Sequence, residues 1–238
     1  MNRVKSVQFT DRASRAKHGL VLIGDLEGFS RFFNQPDVND YVSKFLNHVF
    51  EAVNVCLAGG EAYWSEDKTY LPLEIQPSHV KFLGDGAMYI WTMDSHSSDF
   101  SQLTIQRLCN RLWHLKHGFN KVLIKSADDV PVFDLPPRIR FGLARGTVFE
   151  LRHKNSAQTE YIGFCINLAS RLQTYCPQLG FIASARLGLA KSILEKNNYI
   201  KVVAKKIKGF SNEIVIVAKA EFNRLDQEIK EELFDPID

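Results

Sequence analysis

The chain has 238 residues, with 30 Lys+Arg against 27 Asp+Glu for a formal net charge of +3, and is 45% hydrophobic and 24% charged. That length builds a full hydrophobic core in one domain, and a composition so close to the globular average excludes general disorder. So small a charge gives no case for nucleic acid or a membrane as partner, and no apolar run approaches the roughly 20 residues of a transmembrane helix. The basic N-terminus has no apolar stretch behind it that would make a secretory signal. Cys56, Cys109, Cys165 and Cys176 show no CxxC spacing and lie in apolar surroundings. They read as buried, reduced, structural thiols of a cytoplasmic protein, not as zinc ligands.

In chain order, residues 1–17 are polar, basic and without periodicity, a flexible N-terminal arm. Gly19–Gly24 is a continuous apolar run of the length of a buried strand, followed by a turn into a helix that Pro36 interrupts. Apolar residues at helical spacing (Tyr41, Phe45, Val49, Val53) predict a helix from about Val38 to Leu57, ended by Gly59-Gly60. Glu61–His79 is aromatic-rich and irregular; Val80–Trp91, around Gly84-Asp85-Gly86, predicts a tight β-hairpin. Asp99–His117 predicts an amphipathic helix stopped by Gly118, with His114 and His117 in its last turn as surface or capping residues. After a Pro-containing loop (125–137), Arg138–Leu151 predicts one or two strands and Tyr161–Gly163 an edge. Cys165–Tyr175 predicts a helix, Phe181–Ala183 a strand and Ala185–Asn197 a further helix, before a closing hairpin of Tyr199–Lys205 and Glu213–Ala218. Helices mixed with antiparallel hairpins predict one α+β domain.

Three segments offer chemistry. Asp25 ends the first buried strand, and Gly28, Phe29 and Ser30 follow at a helix start, where free N–H groups and the helix dipole favour a phosphate. Asp and Ser are equally ordinary turn and cap residues. Asp85 lies in a Gly-Asp-Gly sequence that by itself is a common hairpin turn. Together, Asp25 and Asp85 make a pair of strand-end carboxylates of the kind that holds Mg²⁺ or Mn²⁺. Asn167 and Arg171 stand at i and i+4 on one helix face, an amide beside a guanidinium, which suits a sugar hydroxyl beside a phosphoryl oxygen as well as it suits a solvated helix face.

In order and approximate spacing, Asp25-Leu26-Glu27-Gly28-Phe29-Ser30, Val80–Asp85, Ile139–Gly146 and Gly163–Leu172 resemble the class III nucleotidyl cyclase catalytic domain, as does the terminal Lys206-Ile207-Lys208-Gly209-Phe210. The resemblance spans residues 18–220 and leaves 1–17 as the arm and 221–238 as a C-terminal tail. It implies a ferredoxin-like α+β domain, an antiparallel sheet with flanking helices, working as a head-to-tail homodimer with active sites at the interface. Lys81 and Asp85 are four residues apart. In an extended strand they would stand about 13 Å apart, which suits service in two different sites.

Carried over by position, the resemblance implies two divalent cations, Mn²⁺ or Mg²⁺, held by Asp25, Asp85 and the Leu26 carbonyl. The substrate would be a nucleoside triphosphate, cyclised by attack of its 3′-hydroxyl on the α-phosphorus. Arg171 would stabilise the α-phosphoryl charge and Asn167 orient the ribose; Gly28, Phe29 and Ser30 would cradle the outer phosphates with help from Lys206 or Lys208. Lys81 stands where adenine-selective members carry Lys, but its usual Asp partner is replaced by Glu160 or, shifted by one, Tyr161. Phe164 stands beside the base-reading edge, where its ring would shrink the pocket toward a pyrimidine; packing into the core is the alternative. A short chain with no room for receptor or sensor domains, and an aromatic insertion before the hairpin, is similar to the bacterial pyrimidine cyclases of Pycsar anti-phage systems. That implies cyclic UMP or cyclic CMP as a messenger sensed by a separate effector protein. An adenylate cyclase and a non-catalytic nucleotide-binding regulatory dimer are the competing readings; a GGDEF-type cyclase is excluded because the hairpin reads Leu83-Gly84-Asp85-Gly86.

Overall fold

The structure is a computed structural model that describes residues 7–66, 68–94, 99–154 and 156–237. Residues 1–6 of the predicted arm and Asp238 of the predicted tail lie outside the described residues.

The first strand, β1 (Lys17–Glu27), is the centre of the molecule. Its apolar run is buried on both sides: Leu20 and Leu22 face one core, Val21 and Ile23 the other. After α1 (Phe29–Phe33) and a 3₁₀ turn at Val38–Asp40, α2 (Val42–Ala58) lays Phe45, Val49 and Val53 on the first core and ends at Gly59, whose φ is +88°. Among its described residues the irregular stretch forms a two-stranded ribbon, β2 (Gly60–Glu61) with β3 (Thr69–Tyr70). The predicted hairpin forms as β4 (His79–Phe82) and β5 (Gly86–Asp94), and β5 pairs antiparallel with β1.

Helix α3 runs from Gln102 to Ala127, capped by the Ser101 hydroxyl, which accepts the Thr104 N–H at 3.1 Å. It therefore passes through Gly118 instead of stopping there. A Cβ at that position would stand 2.5 Å from the Trp64 carbonyl oxygen, so the glycine is a close-packing residue. His114 and His117 accordingly lie inside the helix, not in its last turn: His114 Nδ1 lies 3.2 Å from the Tyr70 hydroxyl, and His117 Nε2 lies 3.0 Å from Glu221.

Strand β6 (Arg138–Arg152) is a single long strand that pairs with the whole of β1 from Arg138 to Val148, and β7 (Thr159–Gly163) returns along its last part, from Val148 to Arg152. Helix α4 (Phe164–Tyr175) packs Leu168 and Leu172 onto the second core. After β8 (Phe181–Ser184), the predicted helix 185–197 divides into a 3₁₀ turn, Ala185–Leu187, and α5 (Lys191–Lys196). Gly188 at φ +74° makes the break, a conformation that no α-helix contains. Strands β9 (Tyr199–Ala204) and β10 (Glu213–Ala218) close the hairpin. Beyond them α6 (Lys219–Arg224) and α7 (Gln227–Leu233) lead to β11 (Phe234–Asp235), which pairs with β9.

The sheet order is β11-β9-β10-β8-β6-β1-β5-β4, with β7 on β6; every pairing is antiparallel except β6 with β8. Helices α2 and α3 cover one face and α4 the other. The fold is α+β, with a largely antiparallel sheet and flanking helices. All four cysteines are free and buried, and burial pushes the Cys109 thiol up to about 12, which leaves it inert at neutral pH. Among the described residues no helix is long and apolar enough to cross a membrane.

Candidate active site

The end of β1 and the β4–β5 turn meet at one point. Asp25 is opposite Gly86 on β5, and the Leu26 N–H donates to the Asp85 carbonyl at 3.0 Å. Gly86 permits this approach, because a Cβ there would fall 2.0 Å from the Gly24 carbonyl oxygen and 3.0 Å from the Asp25 Cα. The Gly-Asp-Gly sequence is thus more than a turn: its second glycine lets the hairpin press Asp85 against Asp25. Burial pushes the Asp25 carboxyl above its ordinary 3.8; the hydrogen bond and charge of Arg140 pull it back, and neighbouring Asp85 adds to the rise.

Two carboxylates held side by side fit a hard divalent cation. Among the described residues no group of three His, Cys, Asp or Glu side chains gathers that could hold a metal ion unaided. The other ligands of a cation at Asp25 and Asp85 would be main-chain, phosphate and water oxygens, the usual company of Mg²⁺.

Arg140 is the residue that the sequence motifs did not single out. It is opposite Asp25 in the β1–β6 register and its Nη2 donates to the Asp25 carboxylate; two residues along, Arg138 donates to Glu27 at 2.7 Å. Arg140 lies within the Ile139–Gly146 segment, but nothing there points to Asp25, because the pairing spans 115 positions and exists only once the register is set.

Beside the carboxylates, Gly28 takes φ +80° and opens α1, its carbonyl accepting the N–H groups of Arg31 and Phe32. Phe29 and Ser30 precede those donors in the first turn, where N–H groups lack intrahelical partners. Ser30 and Gly84 line an open groove of about 540 Å³ whose other walls are largely apolar: Phe29, Phe33, Val42, Leu46 and Phe82. A cavity of similar size, about 550 Å³, lies against α3 between Asn110, Trp113, Asn197 and Asn223 and includes none of the predicted site residues.

A second constellation forms on β4 and β7. The Lys81 Nζ donates to both carboxylate oxygens of Glu160, at 2.8 and 2.6 Å, bridging 79 positions of sequence. Tyr161 packs its ring 5.1 Å from that of His79. Strand β4 ends at Phe82, so the extended spacing expected between Lys81 and Asp85 does not apply: Lys81 is paired in register with Met88, and Asp85 sits in the turn. Phe164, opening α4, is half exposed and not a core residue; Phe210 meets it edge-on at 4.9 Å and the Arg186 guanidinium lies 4.7 Å over its ring. Arg186 is itself anchored on Glu213 through two hydrogen bonds, at 3.2 and 3.0 Å.

Asn167 and Arg171 share one exposed face of α4. Among the described residues no hydrogen bond, ion pair or ring contact joins their side chains to Asp25, Asp85, Lys81 or Glu160. Lys206 (φ +52°) and Lys208 are exposed in the β9–β10 loop, and among the described residues neither makes a hydrogen bond or ion pair to the carboxylates.

No protein-family model matches the chain, and no curated protein matches its sequence. Solved structures do. The adenylyl cyclase CyaB from P. aeruginosa superposes with a TM-score of 0.59 at 17% identity, over 87% of this chain and 95% of that one. A bacterial light-regulated adenylyl cyclase gives 0.56 at 16% identity, over 89% of this chain but 54% of that one, so the likeness spans about half of its length. The guanylyl cyclase Cya2 gives 0.51 at 16% identity, over 87% and 93% of the two chains. At these identities the likeness is one of architecture, and this chain has the fold of the class III adenylyl and guanylyl cyclase catalytic domain.

Proposed function

We propose that the protein is a nucleotide cyclase that converts a nucleoside triphosphate to a 3′,5′-cyclic monophosphate and pyrophosphate as a homodimer. The observation that carries this reading is the meeting of Asp25 and Asp85, brought together by the Leu26 N–H to Asp85 carbonyl bond in a domain with the cyclase fold. Two divalent cations bound there, Mn²⁺ or Mg²⁺, would supply acidity to the 3′-hydroxyl and charge to offset the triphosphate. Gly28, Phe29 and Ser30 would bind the outer phosphates through main-chain N–H groups. Arg171 would donate to the α-phosphoryl oxygens where charge develops, and Asn167 would hold the ribose so that its 3′-oxygen stands in line. Among the described residues nothing joins the side chains of Asn167 and Arg171 to the carboxylates within one protomer, which is consistent with a site shared between two, each contributing one half. Exposed Val80, Phe82 and Ile162 lie on the strands that carry Lys81 and Glu160, apolar surface of the kind a partner covers.

For the base, we propose a pyrimidine. Phe164, half exposed and fixed by Phe210 and Arg186 four residues beyond Glu160 in sequence, would supply bulk that narrows the base pocket. The product would then be cyclic UMP or cyclic CMP, a messenger for a separate effector in anti-phage defence inside the cell. The second reading, an adenylate cyclase, is favoured by the two-oxygen Lys81–Glu160 pair, which offers a donor and an acceptor to an adenine edge. Purified protein incubated separately with ATP, GTP, CTP and UTP and either cation, with products identified by mass, separates them. Cyclic UMP or cyclic CMP is the expected product; turnover of ATP alone would establish the second reading. No turnover of any triphosphate would leave a non-catalytic regulatory dimer.

A further inference from the structure

We infer that Arg140 is a positioning residue that occupies Asp25 in the metal-free protein and competes with the divalent cation for it, thereby setting how tightly the metal is held. This inference rests on the reading of Asp25 as a metal ligand. Arg140 and Asp25 are directly opposite in the β1–β6 register, and both side chains are largely withdrawn from water, at 16% and 14% exposure. Nη2 of Arg140 is bonded to Oδ2 of Asp25, while its Nε is buried with no hydrogen-bond partner. The guanidinium therefore stands on one of the two oxygens that a cation would use, and it keeps two neighbouring carboxylates from repelling each other when no metal is present. A cation arriving at Asp25 meets a carboxylate already hydrogen-bonded to Arg140 and must draw it away. Arg138 and Glu27 repeat the same cross-strand pair one step outward, but there the arginine is half exposed. That second pair supplies an internal control: the same charge, on the same strand, without contact to Asp25.

The test is Mn²⁺ binding to nucleotide-free protein, read from the paramagnetic resonance of the free ion. Arg140→Gln should bind Mn²⁺ about tenfold more tightly than the wild type, the effect of removing one adjacent cation. Arg138→Gln should stay within about twofold, since its charge is exposed and screened. Arg140→Lys, which keeps the charge, should remain close to the wild type. Unchanged or weaker binding by Arg140→Gln overturns the inference, as does an equal gain in Arg138→Gln. Asp25→Asn is the separate control on the underlying reading: binding that survives it shows that Asp25 holds no metal. Crystals of the wild type with and without Mn²⁺ keep the inference testable if Arg140→Gln folds poorly. The Arg140 guanidinium should leave Asp25 when the ion binds, and an intact pair beside bound Mn²⁺ would overturn it.

Discussion

The Lys81–Glu160 pair is bonded through both oxygens, yet its side chains are 43% and 31% exposed. Pairs at that exposure contribute about 1 kcal/mol or less, so stability is a poor account of why the two residues meet. Lys81→Ala should accordingly leave the thermal unfolding midpoint within a few degrees of wild type. It should lower kcat/KM for the preferred triphosphate by at least about tenfold, the size of a lost hydrogen bond to a charged group. Equal losses for all four triphosphates would remove Lys81 from base selection. Glu221 behaves in the opposite way. Burial pushes its carboxyl up, but the hydrogen bonds and charges of His117 and Lys116 outweigh burial and leave it below the ordinary 4.5. A depressed carboxylate stabilises the fold above 4.5 and loses that contribution as the pH falls through its folded-state value. Glu221→Gln should therefore cost about 1–3 kcal/mol at pH 7 in urea unfolding, with the deficit shrinking once the pH passes below 4.5. The meeting of Asp25 with Asp85 was legible in the sequence because each lies in a short motif whose neighbours carry the signal, and the same kind of signal nominates Asn167 and Arg171. Arg140, Glu221 and the Phe164–Arg186 contact were not, since each depends on a partner far along the chain.

The elements that the sequence predicted well are those whose pattern is local. Strand β1, the β4–β5 hairpin, α4 and the β9–β10 hairpin each announce themselves by an apolar period and a turn. Helix α3 was cut short because Gly118 reads as a stop, whereas its cause is Trp64, which packs against it from a different part of the chain. The helix after β8 was drawn too long because Gly188 sits inside an otherwise periodic run and gives no sign of its φ of +74°. The two glycines of the β4–β5 turn allow a direct comparison of these two kinds of constraint. Gly84 has φ +100° and no atom within 4 Å of where a Cβ would stand, so only its backbone conformation is demanding. Gly84→Ala should cost about 1 kcal/mol, the penalty of a side chain in that conformation. At Gly86, by contrast, a Cβ would overlap the Gly24 carbonyl, and no rotamer relieves it. Gly86→Ala should cost at least about 3 kcal/mol, or part β5 from β1 and separate the two carboxylates. Urea titrations of the two variants against the wild type measure the difference; similar losses would mean that β1 and β5 can move apart freely.

Viewed whole, the groups of the proposed site lie in two places on one protomer: a carboxylate pair at the end of β1, and an amide–guanidinium pair on the open face of α4. The order of motifs along the sequence nominates both groups, but sequence order carries no information on which copy of the chain each would serve. In the structure α4 is fixed against β1, β6 and β8 through its Leu168–Leu172 face, which turns Asn167 and Arg171 outward. A site shared between two protomers, as proposed, would have that outward face bring Arg171 to a triphosphate held by the other copy. Twofold symmetry then makes a numerical prediction. Asp25→Ala and Arg171→Ala should each abolish turnover, since every site in either homodimer lacks one group. When the two variants are unfolded together and refolded as an equimolar mixture, half of the dimers are mixed, and each mixed dimer has one site with both groups intact. Activity should return to about a quarter of the wild-type value per mole of chain. Recovery near that level, measured alongside each variant refolded alone, identifies sites shared between protomers; a mixture as inactive as its components would show that each protomer builds its site by itself.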